Sequence, residues 1–420
     1  MKPFSFIHAA DLHLGSPFKG VGSKLPAVAD TLGAATYNAF SGLIDLCLEK
    51  KVDFLLVAGD VFDLSDRSLR AQLTFRDGLA RLSEAGIDSF TALGNHDPWD
   101  AWAGRISWPE RAHLFSPDQV ETIPVVIDEI PVAAISGISY RTQRQTEDLS
   151  AKFSASHPDL YQVALLHSNC GNQPDHEAYA PCSLESLRKS GFDYWALGHV
   201  HEKKILETHP HIVYSGCIQG LSIRETGARG CWLVSVDADR QAELSFQPLD
   251  KLRWQSTELS IGDLESLDDL DRTLSETLSS TCEKGEGRPV ILRIRLTGRG
   301  ALYKPLRQQS ISEDLLDRSR ELGSLQSPPV WVQDIRIDCR PEVDLDQRLA
   351  MDDLLGQVLR SAGELDQASE VLPDRLMPIL SNLYRHTRIA RYLDGPSSPE
   401  LQALLRDAAL ICFDLLESDL

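Results

Sequence analysis

Five short segments carry side chains able to hold metal ions, and each closes an apolar run. They are "ADLHLG" with Asp11 and His13, "AGDVFD" with Asp60, "LGNHDP" with Asn95, His96 and Asp97, "LLHSN" with His167, and "LGHVH" with His199 and His201. Imidazole is the commonest protein metal ligand. Two histidines separated by one residue point to the same side of an extended backbone. Carboxylate, amide and neutral imidazole form a hard-to-borderline oxygen and nitrogen set. No thiolate joins it, which argues against a structural zinc site of cysteine type. Asp11, His13, Asp60, Asn95, His167, His199 and His201 are too many donors for one ion and suit two. If Asp60 is shared, each ion receives four protein ligands and keeps room for water and a phosphate oxygen, as in a two-metal hydrolase. One such block alone is an ordinary turn, where Asp and Asn are common; five in succession at strand ends are not.

The flanking text supplies elements that position these groups. "FSFIHAAD", "VDFLLVAGD" and "IDSFTALGNHD" read as strands, separated by helical patterns over 27–50 and 69–84. Strand and helix in alternation imply parallel pairing with crossover helices. Ligands then collect beyond the carboxyl ends of the strands. Gly59, Gly94 and Gly198 precede three of the blocks and allow close backbone approach. "IPVVIDEIPVAAISGISY" gives two strands about Asp128 and Glu129; "YQVALLH", "FDYWALGHVH", "HIVYSGC", "GCWLVSVD" and "AELSFQP" follow. An α/β sandwich over 1–250 is expected, then a small α+β unit over 258–340, then a helical segment over 341–420. In that segment Met351, Leu354, Leu355, Val358 and Leu359 form one apolar stripe. The last helix starts with Ser398 as N-cap and Pro399 in the first turn.

The chain has 420 residues and a formal net charge of −20. That balance argues against coating nucleic acid by electrostatics alone, because such binding rests on Lys and Arg at phosphates. Eight cysteines are scattered without a C-x-x-C pair. The start "MKPFSFIHAADLHLG" lacks a secretory pattern. The thiols therefore read as reduced in a cytoplasmic protein. No apolar run reaches membrane-spanning length. From Arg288 to Ser312 there are six basic residues and no acidic ones. Arg293 and Arg295 alternate there with Leu292, Ile294 and Leu296, so on a strand both guanidinium groups face outward and suit phosphate oxygens. Arg299 and Lys304 extend the stretch. The bland alternative is a solubilising sheet face. Trp99, Trp102 and Trp108 either stack on bases or pack the loop after His96. His8, inside the first strand, reads as core. From Pro341 to Leu372 eight acidic residues stand against two basic ones, which points to protein contacts rather than DNA.

"DLH", "GD", "GNHD", "H" and "GHVH", in this order, resemble the calcineurin-like metallophosphoesterase superfamily over roughly the first 250 residues. The resemblance implies that Asp11, His13, Asp60 and His201 hold one ion, and Asp60, Asn95, His167 and His199 the other. It implies that His96 stabilises the transition state or protonates the leaving oxygen, with Asp97 orienting its imidazole, and that attack on phosphorus is in line. "GNHDPWDAWAGRISWPE" and "YSGCIQGLSIRETGARGCWLV" further resemble SbcD-type DNA repair exonucleases, nearest the YhaO-like bacterial subgroup. That similarity implies a nuclease domain, a cap domain contacting DNA, and C-terminal helices docking an SbcC-like ATPase; a homodimer is left open. It suggests Mn²⁺, although the donor set also admits Fe or Zn. A Mn-dependent DNA exonuclease is thus expected. The alternatives are a small-substrate phosphodiesterase or phosphatase, and a non-enzymatic regulator of an ATPase.

Overall fold

The N-terminal strand is apolar on both faces, which suits a sheet covered on both sides. In the computed structural model, which describes residues 1–18, 28–63, 68–102, 106–171, 180–342, 345–368, 370–384 and 396–417, it forms β1 (Phe4–Ala9). There follow α1 (Ala29–Lys50), β2 (Phe54–Ala58), α2 (Leu69–Glu84), β3 (Asp88–Ala92), the short α3 (Trp99–Trp102) and β4 (Ala112–Leu114). β1 to β4 pair in parallel, as the alternation of strand and helix requires. Next come β5 (Glu121–Ile127), β6 (Ile130–Gly137), β7 (Tyr161–His167), α4 (Leu184–Arg188), β8 (Tyr194–Gly198), β9 (Lys204–Thr208), β10 (His211–Tyr214), β11 (Gly230–Val236) and β12 (Ala242–Pro248).

Two six-stranded sheets result, β12-β11-β1-β2-β3-β4 and β5-β6-β7-β8-β10-β9. Alternate residues decide which layer each face meets. Phe4, Phe6, Phe54, Leu56 and Phe90 from one sheet pack with Ala133, Ile135, Tyr161, Val163, Leu165 and Tyr194 from the other. Phe6 and Phe54 stack at 4.9 Å, with Tyr194 edge-on to Phe6 at 5.2 Å. Each such buried ring contributes roughly 1.5–3 kcal/mol. The opposite face of the first sheet, with Ile7, Leu55 and Val57, is covered by Phe40, Leu43, Phe75 and Leu79 of α1 and α2. A third cluster, with Leu166, Trp195 and Leu197, covers the outside of the second sheet. The expected sandwich flanked by helices is therefore the observed one.

Beyond it, β13 (Arg253–Ser260), α5 (Leu267–Lys284), β14 (Val290–Thr297), α6 (Tyr303–Leu306), α7 (Gln309–Ser324) and β15 (Val330–Ile337) give a three-stranded sheet, β13-β14-β15. Leu270, Leu274 and Leu278 are buried on α5, while Leu267 at its start is exposed. The chain ends in α8 (Leu345–Leu349), α9 (Leu354–Gln367), α10 (Leu372–Tyr384) and α11 (Ser398–Glu417). By compactness the chain forms two units, 1–257 with 275–294 and 316–334, and 258–274 with 295–315 and 335–420.

Two local expectations are corrected. The apolar stripe of α9 is split: Leu355 and Leu359 are buried with Phe413, whereas Met351 and Leu354 are exposed. Met351 precedes the helix, so the spacing that placed it on one face does not apply. Ser397, not Ser398, closes the start of α11: its N–H and Oγ both donate to Glu400 Oε2 at 2.7 Å. That is half of a capping box.

Candidate metal centre

The carboxyl ends of β1, β2, β3, β7 and β8 meet at one rim, and the chain turns sharply there. Asp11, His13, Asp60 and His199 have φ of 51°, 43°, 51° and 99°. Left-handed backbone costs a non-glycine residue on the order of 1–3 kcal/mol and collects at functional sites. These are four of the ten such residues among those described. Backbone bonds hold the strain: Asp11 N–H donates to Gly59 O (3.0 Å), His13 N–H to Asp60 O (3.0 Å) and Leu14 N–H to Val61 O (2.9 Å). Close approach also explains the glycines. A Cβ on Gly94 would lie 2.3 Å from Asp60 Oδ1, and one on Gly198 would lie 1.8 Å from Ala58 O.

The seven expected side chains come together. Asp60 Oδ2 stands between two rings, 3.4 Å from His167 Nε2 and 4.0 Å from His13 Nε2. Its Oδ1 accepts the His96 N–H at 2.8 Å. His13 Nε2 and His201 Nε2 are 3.2 Å apart. His167 Nε2 is 2.9 Å from Asn95 Oδ1. Asp11 accepts the His199 N–H at 3.1 and 3.2 Å on its two oxygens. The His199 ring lies edge-to-face with His167 at 5.2 Å. Asp11, His13 and His201 form one compact donor group, and Asp11, Asp60 and His167 another.

The arrangement fits cations on two counts. Donors sharing one ion at bonds of ~2.1 Å lie from about 3 Å to about 4.2 Å apart in octahedral geometry. The four donor separations above fall in or beside that window. Proton bookkeeping agrees. His167 Nδ1 donates to Ala58 O at 2.9 Å, and His201 Nδ1 donates to Glu225 Oε1 at 2.8 Å. Each ring therefore turns Nε2 inward. For His167, Nε2 faces Asp60 Oδ2 and Asn95 Oδ1, an arrangement that a second proton or a cation satisfies. Burial opposes the charge on His167, but Asp60 and Asp11 outweigh it and raise its pKa to about 9. Burial likewise opposes ionisation of Asp60, yet His167 and the nearby His96 and His13 hold its carboxyl well below the usual range. Burial and then His201 push His13 down to about 3, which leaves it neutral and ready to ligate.

His96 lies beside this group, its ring edge-to-face with His13 at 5.0 Å. The carboxylate on its Nδ1 is Asp63, at 2.9 Å, rather than the expected Asp97. Asp97 instead accepts backbone N–H groups, from Val61 at 2.6 Å and Gly94 at 2.7 Å. It braces the two loops that carry Asp60 and Asn95. Adjacent residues on a tight turn point apart, whereas Asp63 reaches across from the "GDVFD" loop. Ser16 Oγ donates to the other oxygen of Asp63 at 3.1 Å. Burial opposes the charge on His96, but Asp63 and Asp60 carry its pKa up to about 9. Asp63 and Glu225 were both missed in the sequence. Asp63, three residues after Asp60, had a spacing signal; Glu225, 24 residues after His201, had none.

The two guanidinium groups expected to face outward and suit phosphate oxygens meet carboxylates of this chain. Arg293 makes a two-pronged contact with Asp334, Nε to Oδ1 at 2.7 Å and Nη2 to Oδ2 at 2.9 Å. Arg295 donates to Asp338 at 2.5 Å and to Glu258 at 2.8 Å. Cross-strand carboxylates, distant in sequence, neutralise what looked like a basic run. Arg299 donates to Pro341 O and Leu410 O at 3.2 and 3.4 Å, and Lys304 is exposed on α6. Trp108 packs edge-on to Phe75 at 6.0 Å, in core contact rather than as a stacking platform. The Trp102 side chain lies outside the described residues.

Residues 4–203 match the family Calcineurin-like phosphoesterase. Residues 4–203 thus carry a calcineurin-like phosphoesterase domain. Members are metal-dependent phosphoester hydrolases whose fold binds two divalent metals, as the donor groups at the rim suit. Beyond the phosphoesterase domain, residues 254–340 match Metallophosphoesterase YhaO, middle domain. The "Uncharacterized metallophosphoesterase YhaO" of Bacillus subtilis is 29% identical over 408 residues, which is 97% of this chain and 96% of that one. The SbcD component of the nuclease SbcCD of the same organism is 27% identical, over 60% of this chain and 70% of its own. "DNA double-strand break repair protein Mre11" of Sulfurisphaera tokodaii is 26% identical, over 49% of this chain and 51% of its own. The chain thus spans about half the length of the archaeal protein. Among its described residues no helix is long and apolar enough to cross a membrane.

Proposed function

We propose that the chain is a two-metal phosphodiesterase acting on DNA, a Mn²⁺-dependent exonuclease that works with an SbcC-like ATPase. The observation that carries the reading is the pair of donor groups, with Asp60 Oδ2 standing between His13 and His167. In this reading Asp11, His13, Asp60 and His201 hold one ion, and Asp60, Asn95, His167 and His199 the other. When bound, two divalent ions activate water and neutralise phosphate oxygens. His96, kept protonated by Asp63, presents its remaining N–H to the leaving oxygen and can give up that proton. Ser16 and Asp63 fix the ring, and Asp97 fixes the loops. Likeness to the bacterial nuclease component and to the archaeal repair protein supports DNA as substrate and the ATPase as partner. The functional division is taken as 1–250 for chemistry, 258–340 for DNA contact and 341–420 for the partner. A cytoplasmic location follows from that role.

Incubation of the purified protein with end-labelled duplex DNA and Mn²⁺, with and without chelator, tests the proposal. Chelator-sensitive shortening from an end is expected; intact DNA at every metal concentration refutes the nuclease. The carboxylate partners of Arg293 and Arg295 favour one second reading, a small-substrate phosphodiesterase on the same metals. That reading predicts fast cleavage of a chromogenic phosphodiester with duplex DNA left whole.

A further inference from the structure

We infer that Glu225 is the positioning residue for His201, fixing that ring for one of the two ions; the inference rests on the two-metal reading above. Burial immobilises two neighbouring rings, one from each half of the site: the His13 side chain is 5% exposed and His167 is fully buried. His201 is 27% exposed, so packing alone does not orient it. Glu225 supplies the missing constraint. Its Oε1 accepts from His201 Nδ1 at 2.8 Å, and its Oε2 accepts the Leu221 N–H at 2.6 Å. Both oxygens are thus committed, one to the ring and one to the backbone of its own loop.

That loop is itself fixed. Arg229 donates from Nη1 to His201 O and from Nη2 to Thr226 O, the latter at 2.8 Å. Trp254 Nε1 donates to Gly220 O at 2.9 Å, and Cys217 N–H donates to His201 O at 3.1 Å. A Cβ on Gly220 would lie 2.7 Å from Glu225 O, so the turn closes tightly on the residue that carries the carboxylate. The ring and its anchor therefore share one rigid frame. A carboxylate on Nδ1 locks the tautomer with its lone pair on Nε2 and makes that nitrogen a better donor. Nε2 is the atom 3.2 Å from His13 Nε2, where the ion is proposed. Cys217 belongs to the same cluster, but burial keeps its thiol protonated, so the working contact is imidazole to carboxylate.

The test is calorimetric Mn²⁺ titration of the full chain, with the melting temperature of the metal-free protein measured alongside. Wild type should bind two ions. Glu225→Ala should weaken one of them about 10- to 100-fold, leave the other within about twofold, and leave the metal-free melting temperature near that of wild type. Glu225→Gln keeps an acceptor for Nδ1 and should fall between the two. Glu225→Ala binding both ions like wild type overturns the inference. So does equal weakening of both ions together with a large drop in melting temperature, which marks a structural role only. Wild type binding fewer than two ions is a separate failure, of the two-metal reading itself, and takes this inference with it.

Discussion

Gly198→Ala is the sharpest perturbation the site offers, because it adds one methyl group and no chemistry. The new Cβ would lie 1.8 Å from Ala58 O and 2.9 Å from His167 Nδ1. Real Cβ contacts stay beyond 3.0 Å, so the two strands must part by about 1.2 Å, a strain of the overpacking kind that costs ~1–3 kcal/mol. Melting should fall by about 2–4 °C per kcal/mol in a unit of this size. The carbonyl that moves is the one that accepts from His167 Nδ1 at 2.9 Å, so the ring loses its anchor as the strands part. Loss of such an outer contact weakens metal binding about 10- to 100-fold. Thermal denaturation of the metal-free protein and calorimetric Mn²⁺ titration measure the two effects separately. Gly33→Ala serves as control, because nothing lies within 4 Å of a Cβ there and alanine favours a helix by about 1 kcal/mol. Gly198→Ala binding two ions with unchanged affinity and melting would refute the link between this close approach and the metal site.

Asp63→Asn removes the charge that raises His96 to about 9; turnover should fall about 10²- to 10⁴-fold, and the alkaline limb of the pH–rate profile should move to lower pH while Mn²⁺ affinity holds. Arg293→Ala removes the two-pronged partner of the part-buried Asp334 carboxylate and should cost about 1–3 kcal/mol in denaturant unfolding, whereas DNA affinity of the folded protein stays unchanged; Lys304→Ala should show the reverse pattern in the same two assays. Burial pushes His8 down to about 3 from an ordinary 6.5, so the unfolded chain takes up a proton below pH 6.5 that the folded chain refuses. Stability should therefore fall with pH through the window from 6.5 toward 3, by about 1.4 kcal/mol from this group at pH 5.5. His8→Gln, which leaves Tyr194 a hydrogen-bonding neighbour, should remove that slope in chemical denaturation at pH 5.5 and 7.5.

Much of this protein was legible along the chain because its information is local. Short continuous apolar runs marked β1, β2, β3, β7 and β8, and parallel crossovers put their carboxyl ends on one side. Each candidate ligand then ends its strand or follows it within a few residues, so Asp11, His13, Asp60, Asn95, His167, His199 and His201 could be named as candidates without coordinates. The contacts that orient them run between distant segments, and only the tertiary structure decided those. Spacing pointed to Asp97 as the partner of His96, but the turn aims that carboxylate at the backbone and brings Asp63 across instead. Charge counting made 288–312 a basic run, but strand pairing set Asp334 and Asp338 against its arginines. Glu225 reaches His201 through a loop whose sequence carries no period at all. Side-chain type and backbone period are properties of short stretches and can be read in order; which carboxylate meets which ring depends on how strands are placed in space, and that is fixed only when the core packs.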